Sequence, residues 1–220
     1  GRWLATASED GTARVWDVAT GVQFSVLESH HAKVYSVAFS PDSSRILTAG
    51  ADGTARVWDF ITGNELHVLD GHADGMISAR YDVTGESIVT AAADGKVQLW
   101  DAGTGLIVSS LGTRNAVEAR FSPSGLNLLT ASSDGTVNMW IAGSGTGRAE
   151  FRNAGWYLRG AAFSPDGRRV VTYNSEGIAT IWDWLDGSPP TVLLGHERRV
   201  LHDNEFSGMR SSNEGGILDA

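Results

Sequence analysis

The chain has 220 residues, 41% of them hydrophobic, and a formal net charge of −9 from 17 Lys and Arg against 26 Asp and Glu. This length allows a sizeable core, and no apolar run approaches the roughly 18–20 residues that a membrane-spanning helix needs. The negative charge argues against a general nucleic-acid binder, which must neutralise phosphates, and the absence of Cys excludes disulfides and thiolate metal sites. No signal-peptide pattern stands at the start, and we expect a cytoplasmic protein without a membrane partner.

One unit is copied along the chain. A tryptophan recurs roughly every 40 residues. Four of the five are followed directly by Asp, and an Asp-Gly or Glu-Gly pair stands a few residues before each of them. So strict a repeat indicates an array of identical folding units rather than separate domains. The five tryptophans are Trp16, Trp58, Trp100, Trp140 and Trp182.

The strands of one unit can be read from residues 34–69. Runs of β-branched and aromatic residues alternate with turn residues, and Asp52-Gly53 is the strongest hairpin signal among them. Four short antiparallel strands cannot bury both faces of their sheet alone, so neighbouring units must stack. The class is therefore all-β. The predicted strands are residues 34–39, 45–49, 54–58 and 65–69.

Other positions keep a constant spacing from each tryptophan. A glycine after it predicts a turn with positive φ, and large apolar residues on either side predict buried faces. The glycines are Gly21, Gly63, Gly105, Gly145 and Gly187. The predicted buried residues are Leu27, Leu69, Leu111, Phe151 and Leu193, together with the aromatic Phe39, Tyr81, Phe121 and Phe163.

These residues resemble WD repeats of the β-propeller family, in which each four-stranded sheet is one blade. The copies have near-identical sequences, and in this they are similar to the blades common in bacterial repeat proteins. The resemblance implies about five four-stranded antiparallel blades over residues 1–206. Their cores would lie around residues 1–29, 30–71, 72–113, 114–153 and 154–196, with 197–206 as the first strand of a closing or next blade and 207–220 as a degenerate or truncated tail.

The resemblance also implies a buried hydrogen-bond network in each blade. Its members are a Trp, a Thr, an Asp and a His, and the Thr hydroxyl would accept from the indole and donate onward. Because the set recurs in every blade, we interpret it as structural and not catalytic. Two sets are complete: His30, Thr48, Asp52 and Trp58, and His72, Thr90, Asp94 and Trp100. Partial sets are Thr6, Asp10 and Trp16; Thr130, Asp134 and Trp140; and Thr172 and Trp182.

Two units lack the histidine of this network. Gly112-Thr113 and Ala154 stand where the other units carry His. We expect the blades that contain them to be the softer ones, with weaker local protection.

Ring closure has two alternatives. The chain starts at Gly1 inside a repeat, with a second strand at residues 3–6, so the last strand at residues 200–206 could complete the first blade. His196 would then complete the first network and close a five-bladed ring. Alternatively the chain is an open fragment of a larger propeller, often of seven blades.

The candidate binding residues lie where the copies disagree. They are of the aromatic and basic types that dominate interface hot spots, and they predict a patch suited to a protein or peptide partner, an acidic segment in particular. The alternative is that Trp156 packs inward in place of the missing His. The candidates are Trp156, Tyr157, Arg159, Arg198 and Arg199.

The sequence therefore predicts a non-catalytic protein–protein interaction scaffold, without a catalytic, metal or cofactor site and without a nucleic-acid partner. By resemblance it could be the sensor or interaction part of a larger bacterial protein with a fused effector module. The alternative is a ligand-binding or enzyme-type propeller that uses its central channel.

Overall fold

The computed structural model describes residues 1–152 and 157–194, and within these ranges nineteen β-strands form five antiparallel sheets. We call the sheets blades 1 to 5. Blade 1 has three described strands and each of the others has four, so the predicted all-β class with four-stranded antiparallel blades is confirmed.

The strand bounds follow the repeat. Blade 1 contains β1 (Trp3–Ala7), β2 (Thr12–Asp17) and β3 (Gln23–Glu28). Blade 2 contains β4 (Val34–Phe39), β5 (Arg45–Gly50), β6 (Thr54–Asp59) and β7 (Glu65–Asp70). Blade 3 contains β8 (Met76–Tyr81), β9 (Ser87–Ala92), β10 (Val97–Asp101) and β11 (Ile107–Leu111). Blade 4 contains β12 (Ala116–Phe121), β13 (Asn127–Ser132), β14 (Thr136–Ile141) and β15 (Thr146–Arg152). Blade 5 contains β16 (Leu158–Phe163), β17 (Arg169–Asn174), β18 (Ala179–Asp183) and β19 (Thr191–Leu193).

The Asp that follows four of the five repeated Trp residues builds the next turn. In blade 2, Asp59 Oδ1 accepts hydrogen bonds from the backbone N–H of Ile61 (3.0 Å) and of Thr62 (2.8 Å). The turn ends at Gly63, whose φ of 70° is one that other residues resist. The glycines at this spacing all have positive φ, as predicted. The Trp-Asp pair therefore joins a buried side chain to the turn that starts the outermost strand.

The blades stack along the chain. A hydrophobic cluster fills each space between neighbouring described blades; Leu27 of blade 1 packs with Trp58 of blade 2, for example. The first strands also contact one another in sequence, β4 with β8, β8 with β12 and β12 with β16. These strands therefore form the inner edge of the array, and the last strand of each blade forms the outer edge.

Two burial predictions need correction. The aromatic residues Phe39, Tyr81, Phe121, Phe151 and Phe163 are half-buried and pack against the clusters from their margins. Leu193 is 47% exposed although Leu27, Leu69 and Leu111 at the same spacing are buried. Each of those three faces the following blade, whereas no blade follows β19 within the described part of the chain. The residues that bear on ring closure, 195–206 with His196, lie outside the described residues.

Candidate functional site

A chain of hydrogen bonds connects four side chains of blade 2. The Trp58 Nε1–H donates to Thr48 Oγ1 (2.9 Å), Thr48 Oγ1 lies 2.8 Å from His30 Nε2, and His30 Nδ1 lies 2.9 Å from an Asp52 carboxylate oxygen. An indole can only donate, so Thr48 Oγ1 accepts from Trp58 and keeps its own proton to donate to His30 Nε2, which places the imidazole proton on Nδ1, facing the carboxylate. This order of donors and acceptors matches a neutral imidazole.

Blade 3 repeats this geometry. Trp100 Nε1 and Thr90 Oγ1 are 2.9 Å apart, Thr90 Oγ1 and His72 Nε2 are 2.8 Å apart, and His72 Nδ1 lies 3.1 Å from Asp94. The His72 side chain and Thr90 are buried. Both sets named from the sequence thus come together with their members in the same order.

The electrostatics support the neutral imidazole. Burial lowers the pKa of His30 below its usual value of 6.5, against the opposing effect of Asp52. Burial raises the pKa of Asp52, but hydrogen bonds from His31 N–H, from Thr54 and from His30 outweigh it and bring the value to about 2. At neutral pH the carboxylate is ionised and the imidazole uncharged, and both of its nitrogens are occupied. This arrangement stabilises the blade.

The Trp–Thr bond persists in the blades whose sets are partial. Trp16 to Thr6, Trp140 to Thr130 and Trp182 to Thr172 measure 2.9, 2.9 and 3.0 Å from Nε1 to Oγ1. Asp10 accepts from the Thr12 N–H and hydroxyl at the surface. Asp134 accepts the Thr136 N–H at 2.9 Å.

Blade 5 rebuilds the turn with a residue that the sequence reading missed. Asn174 is buried, and its Oδ1 accepts the N–H of Glu176 and of Ile178, both at 3.0 Å. Asn174 thereby holds the turn, as the Asp does in the other blades. In blade 5 the position of that Asp is occupied by Glu176. The small residues Gly50 and Ala92 occupy the position of Asn174 in the histidine-bearing blades. This difference in the sequence could have identified Asn174.

Each of blades 2 to 5 has a β-bulge at the start of its first strand. In blade 2, Val34 pairs with Gly50 and Ser36 with Ala49, so that Tyr35 is left without a partner in the ladder. A bulge re-aims its extra side chain and is common next to functional sites. We call the four extra residues the inner bulge residues: Tyr35, Ile77, Val117 and Arg159.

A second bulge lies in the outermost strand, opposite the conserved Trp, and it has a packing role in two blades. Phe24 stacks on Phe60 of the next blade with ring centroids 5.3 Å apart, and Arg148 lies 5.0 Å over the ring of Trp184. The outer bulge residues are Phe24, Leu66, Val108 and Arg148. Trp184 therefore belongs to local packing, as its place beside Trp182 suggests.

Tyr157 and Arg159 of the predicted patch lie at the same end of the blades as the inner bulge residues. Arg159 belongs to both sets and is exposed. Tyr157 is 64% exposed, its φ is 67°, and its N–H bonds to the carbonyl oxygen of Ser133 in the hairpin turn of blade 4. Trp156, Arg198 and Arg199 lie outside the described residues, and so does the alternative in which Trp156 packs inward.

The inner bulges add residues that the sequence reading did not select. Tyr35 is 56% exposed and Ile77 is 40% exposed, although both are large and apolar. Strand alternation could not reveal them, since a bulge breaks the period of two that sequence patterns follow. A comparison of the copies at this position would have found them, because it holds a different residue in each blade.

The family model described as "WD domain, G-beta repeat" matches residues 1–17, 21–59, 63–101 and 107–140. The chain belongs to the WD-repeat family. The matched stretches contain the Trp–Thr bonds of blades 1 to 4. The bacterial type of the repeats stays a prediction.

Among curated proteins, the WD-repeat chain is similar to the mouse "F-box-like/WD repeat-containing protein TBL1X", with 59% identity over 39 residues. It is similar to the human "F-box-like/WD repeat-containing protein TBL1Y" over the same length and at the same identity. The matched stretch is 18% of this chain but only 7% and 8% of these relatives. The likeness is one of individual repeats.

The described WD repeats offer no constellation for a metal. Across residues 1–152 and 157–194, no three His, Asp or Glu side chains are grouped so that they could hold an ion. The same ranges contain no helix long and apolar enough to cross a membrane.

Proposed function

We propose that this WD-repeat chain is a non-catalytic scaffold whose inner bulge residues bind a protein or peptide partner. The observation that carries the proposal is the contrast within each copy. The Trp, Thr and turn Gly stay constant, while the bulged position on the inner strand changes from Tyr to Ile, Val and Arg. A bulged side chain takes no part in the ladder, so strand pairing does not fix its identity.

The chemistry of the inner bulge residues suggests the partner. Tyr35 and Ile77 provide apolar contact area from neighbouring strands that touch each other. Arg159 and Tyr157 add a cation and a second phenol near blade 5. Tyr and Arg are the residue types that most often carry binding energy at interfaces. A segment with an apolar anchor followed by a carboxylate matches this order, which agrees with the acidic partner expected from the sequence.

Selection from a displayed peptide library tests the proposal. Peptides selected on the wild-type chain are expected to lose about tenfold or more in affinity on Tyr35→Ala and on Arg159→Ala, as hot-spot truncations do. Val108→Ala is the matched control, because Val108 is also a bulged residue, is 53% exposed and lies on the outer strand. Peptides whose affinity is unchanged by both inner substitutions, or falls equally with the outer one, would contradict the proposal.

The channel-based alternative has no described geometry in its favour. Glu118 on the inner strand β12 lies 3.1 Å from the Arg120 guanidinium and 3.8 Å from that of Arg80, so this carboxylate is already paired. The cytoplasmic location and the fused effector module stay predictions of the sequence.

A further inference from the structure

Blade 5 differs from the other blades at one residue pair beside its inner bulge. Its second strand carries Tyr173 there, paired with Gly160 of the first strand. In blades 2, 3 and 4 the position of Tyr173 is occupied by a fully buried alanine: Ala49, Ala91 and Ala131. The position of Gly160 is occupied there by a residue with a Cβ: Ser36, Ser78 and Glu118. Blade 5 has therefore gained a large side chain on one strand and lost a side chain on the strand beside it.

The two changes fit each other. A Cβ added to Gly160 would come within 2.6 Å of the Tyr173 hydroxyl oxygen and 2.9 Å of its ring. Glycine is the residue that permits so close an approach to the backbone. Gly160 is buried, whereas Tyr173 is 49% exposed. The phenol therefore lies across the inner strand of blade 5, and its hydroxyl reaches the inner edge of the array.

The hydroxyl lies across the bulge from an arginine. In a bulge two residues of one strand oppose one residue of the partner strand, so Arg159 and Gly160 together oppose Tyr173. Within residues 1–152 and 157–194, the exposed Arg159 has no ion-pair partner and the Tyr173 hydroxyl has no hydrogen-bond partner. A guanidinium and a phenol can both donate hydrogen bonds. Paired strands thus present two kinds of unused donor at one bulge.

We infer that Tyr173 is a specificity-determining residue of the partner-binding surface, and that its hydroxyl and the Arg159 guanidinium bind one carboxylate of the partner segment. Gly160 is the positioning residue, because it leaves the space in which the phenol lies. The guanidinium supplies the charge and donates to one carboxylate oxygen, and the phenol O–H donates to the other. The inference rests on the proposed function, since the carboxylate belongs to the segment that the inner bulge residues bind.

This arrangement distinguishes a carboxylate from a carboxamide. An ionised carboxylate accepts hydrogen bonds at both of its oxygens, whereas a carboxamide has one acceptor oxygen and an NH2 group that can only donate. With Arg159 on one oxygen, the Tyr173 O–H would face that NH2 group, donor against donor. The surface therefore selects a segment with Asp or Glu over one with Asn or Gln.

The test measures the affinity of the full chain for acidic peptides selected from the displayed library, by isothermal titration calorimetry. Tyr173→Phe keeps the ring and removes only the donor, and we expect about tenfold weaker binding, because one hydrogen bond to a charged group is lost. A second form of each peptide carries the amide in place of the acid. It should bind the wild-type chain about tenfold more weakly or worse. It should bind Tyr173→Phe as well as it binds the wild-type chain, because both changes remove the same bond.

A second variant tests the positioning role. Gly160→Ala should weaken binding of the acidic peptides by a similar factor, because the added Cβ displaces the phenol. One matched control is Gly147→Ala, whose Cβ would meet Trp140 at an ordinary 3.7 Å. The other is Tyr81→Phe, a hydroxyl deletion at a position where the neighbouring blades carry Phe. Both controls should leave the affinity unchanged. Tyr173→Phe alone decides the test if thermal melts show that Gly160→Ala does not fold.

The outcomes separate this inference from the proposed function. Acidic peptides that bind Tyr173→Phe as tightly as the wild-type chain would overturn the inference. So would an equal loss for the acidic and the amide peptides. A packing role of Tyr173 predicts the first of these results, because phenylalanine fills the same space. The proposed function would still stand if Tyr35→Ala and Arg159→Ala weakened the same peptides. A library that yields no peptide would overturn both.

Discussion

Trp58 and Thr48 lie on adjacent strands of blade 2, and the indole N–H of the first donates to the hydroxyl of the second at 2.9 Å. The equivalent bond occurs in each described blade at 2.9 to 3.0 Å. It persists where the histidine and even the aspartate of the network have been replaced. The Trp–Thr bond is therefore the constant part of the network, and the groups beyond it are the variable part.

Thr48→Val should lower the free energy of unfolding by about 1–3 kcal/mol, because it leaves the buried Trp58 N–H and His30 Nε2 without partners. Thr6→Val is the control, since the same bond in blade 1 lies near solvent and water can replace it. Denaturant unfolding of the two variants measures the difference. A Thr48→Val protein no less stable than Thr6→Val would show that the buried bond contributes no more to the free energy of unfolding than the exposed one.

The stability of the chain should fall as the pH drops below about 6.5. The folded-state pKa of His30 is lowered from 6.5 by burial, so the unfolded chain binds its proton first and unfolding is favoured at lower pH. This contribution of His30 is complete above pH 6.5 and is lost as the pH falls toward the folded-state value. Asp52 adds a second loss, which begins near its usual pKa of 3.8 and continues to about 2.

Urea unfolding over a pH series checks this prediction. His30→Gln, which cannot titrate, should flatten the decline in the window just below pH 6.5 and leave the acid limb. His31→Gln is the matched control. A wild-type stability that is constant across that window, or a His30→Gln curve parallel to it, would rule out the assigned role of burial.

Asn174→Ala should destabilise blade 5 by about 1–3 kcal/mol, because the N–H groups of Glu176 and Ile178 lose their common acceptor. Glu176→Ala should have an effect within about 0.5 kcal/mol, as for other exposed side chains. Amide hydrogen exchange at Ile178 gives a local readout, with faster exchange expected in the first variant only. Equal exchange in both would mean that the carboxamide does not hold the turn.

The repeated parts of the fold could be predicted because their determinants are local. A turn glycine such as Gly63, an Asp beside it and a Trp at fixed spacing act within a few residues of one another, and copying reinforces each signal. The pairing of Trp58 with Thr48 was implied by the resemblance to WD repeats, and the constant separation of the two positions placed it on these residues.

Other features depend on register and neighbours, which the sequence does not display. The bulge that frees Tyr35 is a shift of one residue between two strands, and the pattern of alternation hides it. Spacing pointed to Glu176 as the turn residue of blade 5, whereas Asn174 reaches the same N–H groups from the strand before. The exposure of Leu193 depends on what lies beyond β19 and not on its own residue type.

The inner bulge has a consequence for how such a chain diversifies. Because the exposed Tyr35 and Ile77 lie outside the strand pairing, a mutation at either one alters the chemistry of the inner strands without changing a residue pair of the ladder. Each duplication of a blade therefore supplies one more variable position on an unchanged frame. Under the proposed function, such an array would acquire a new partner by changing exposed bulge residues while its strand pairing stays the same.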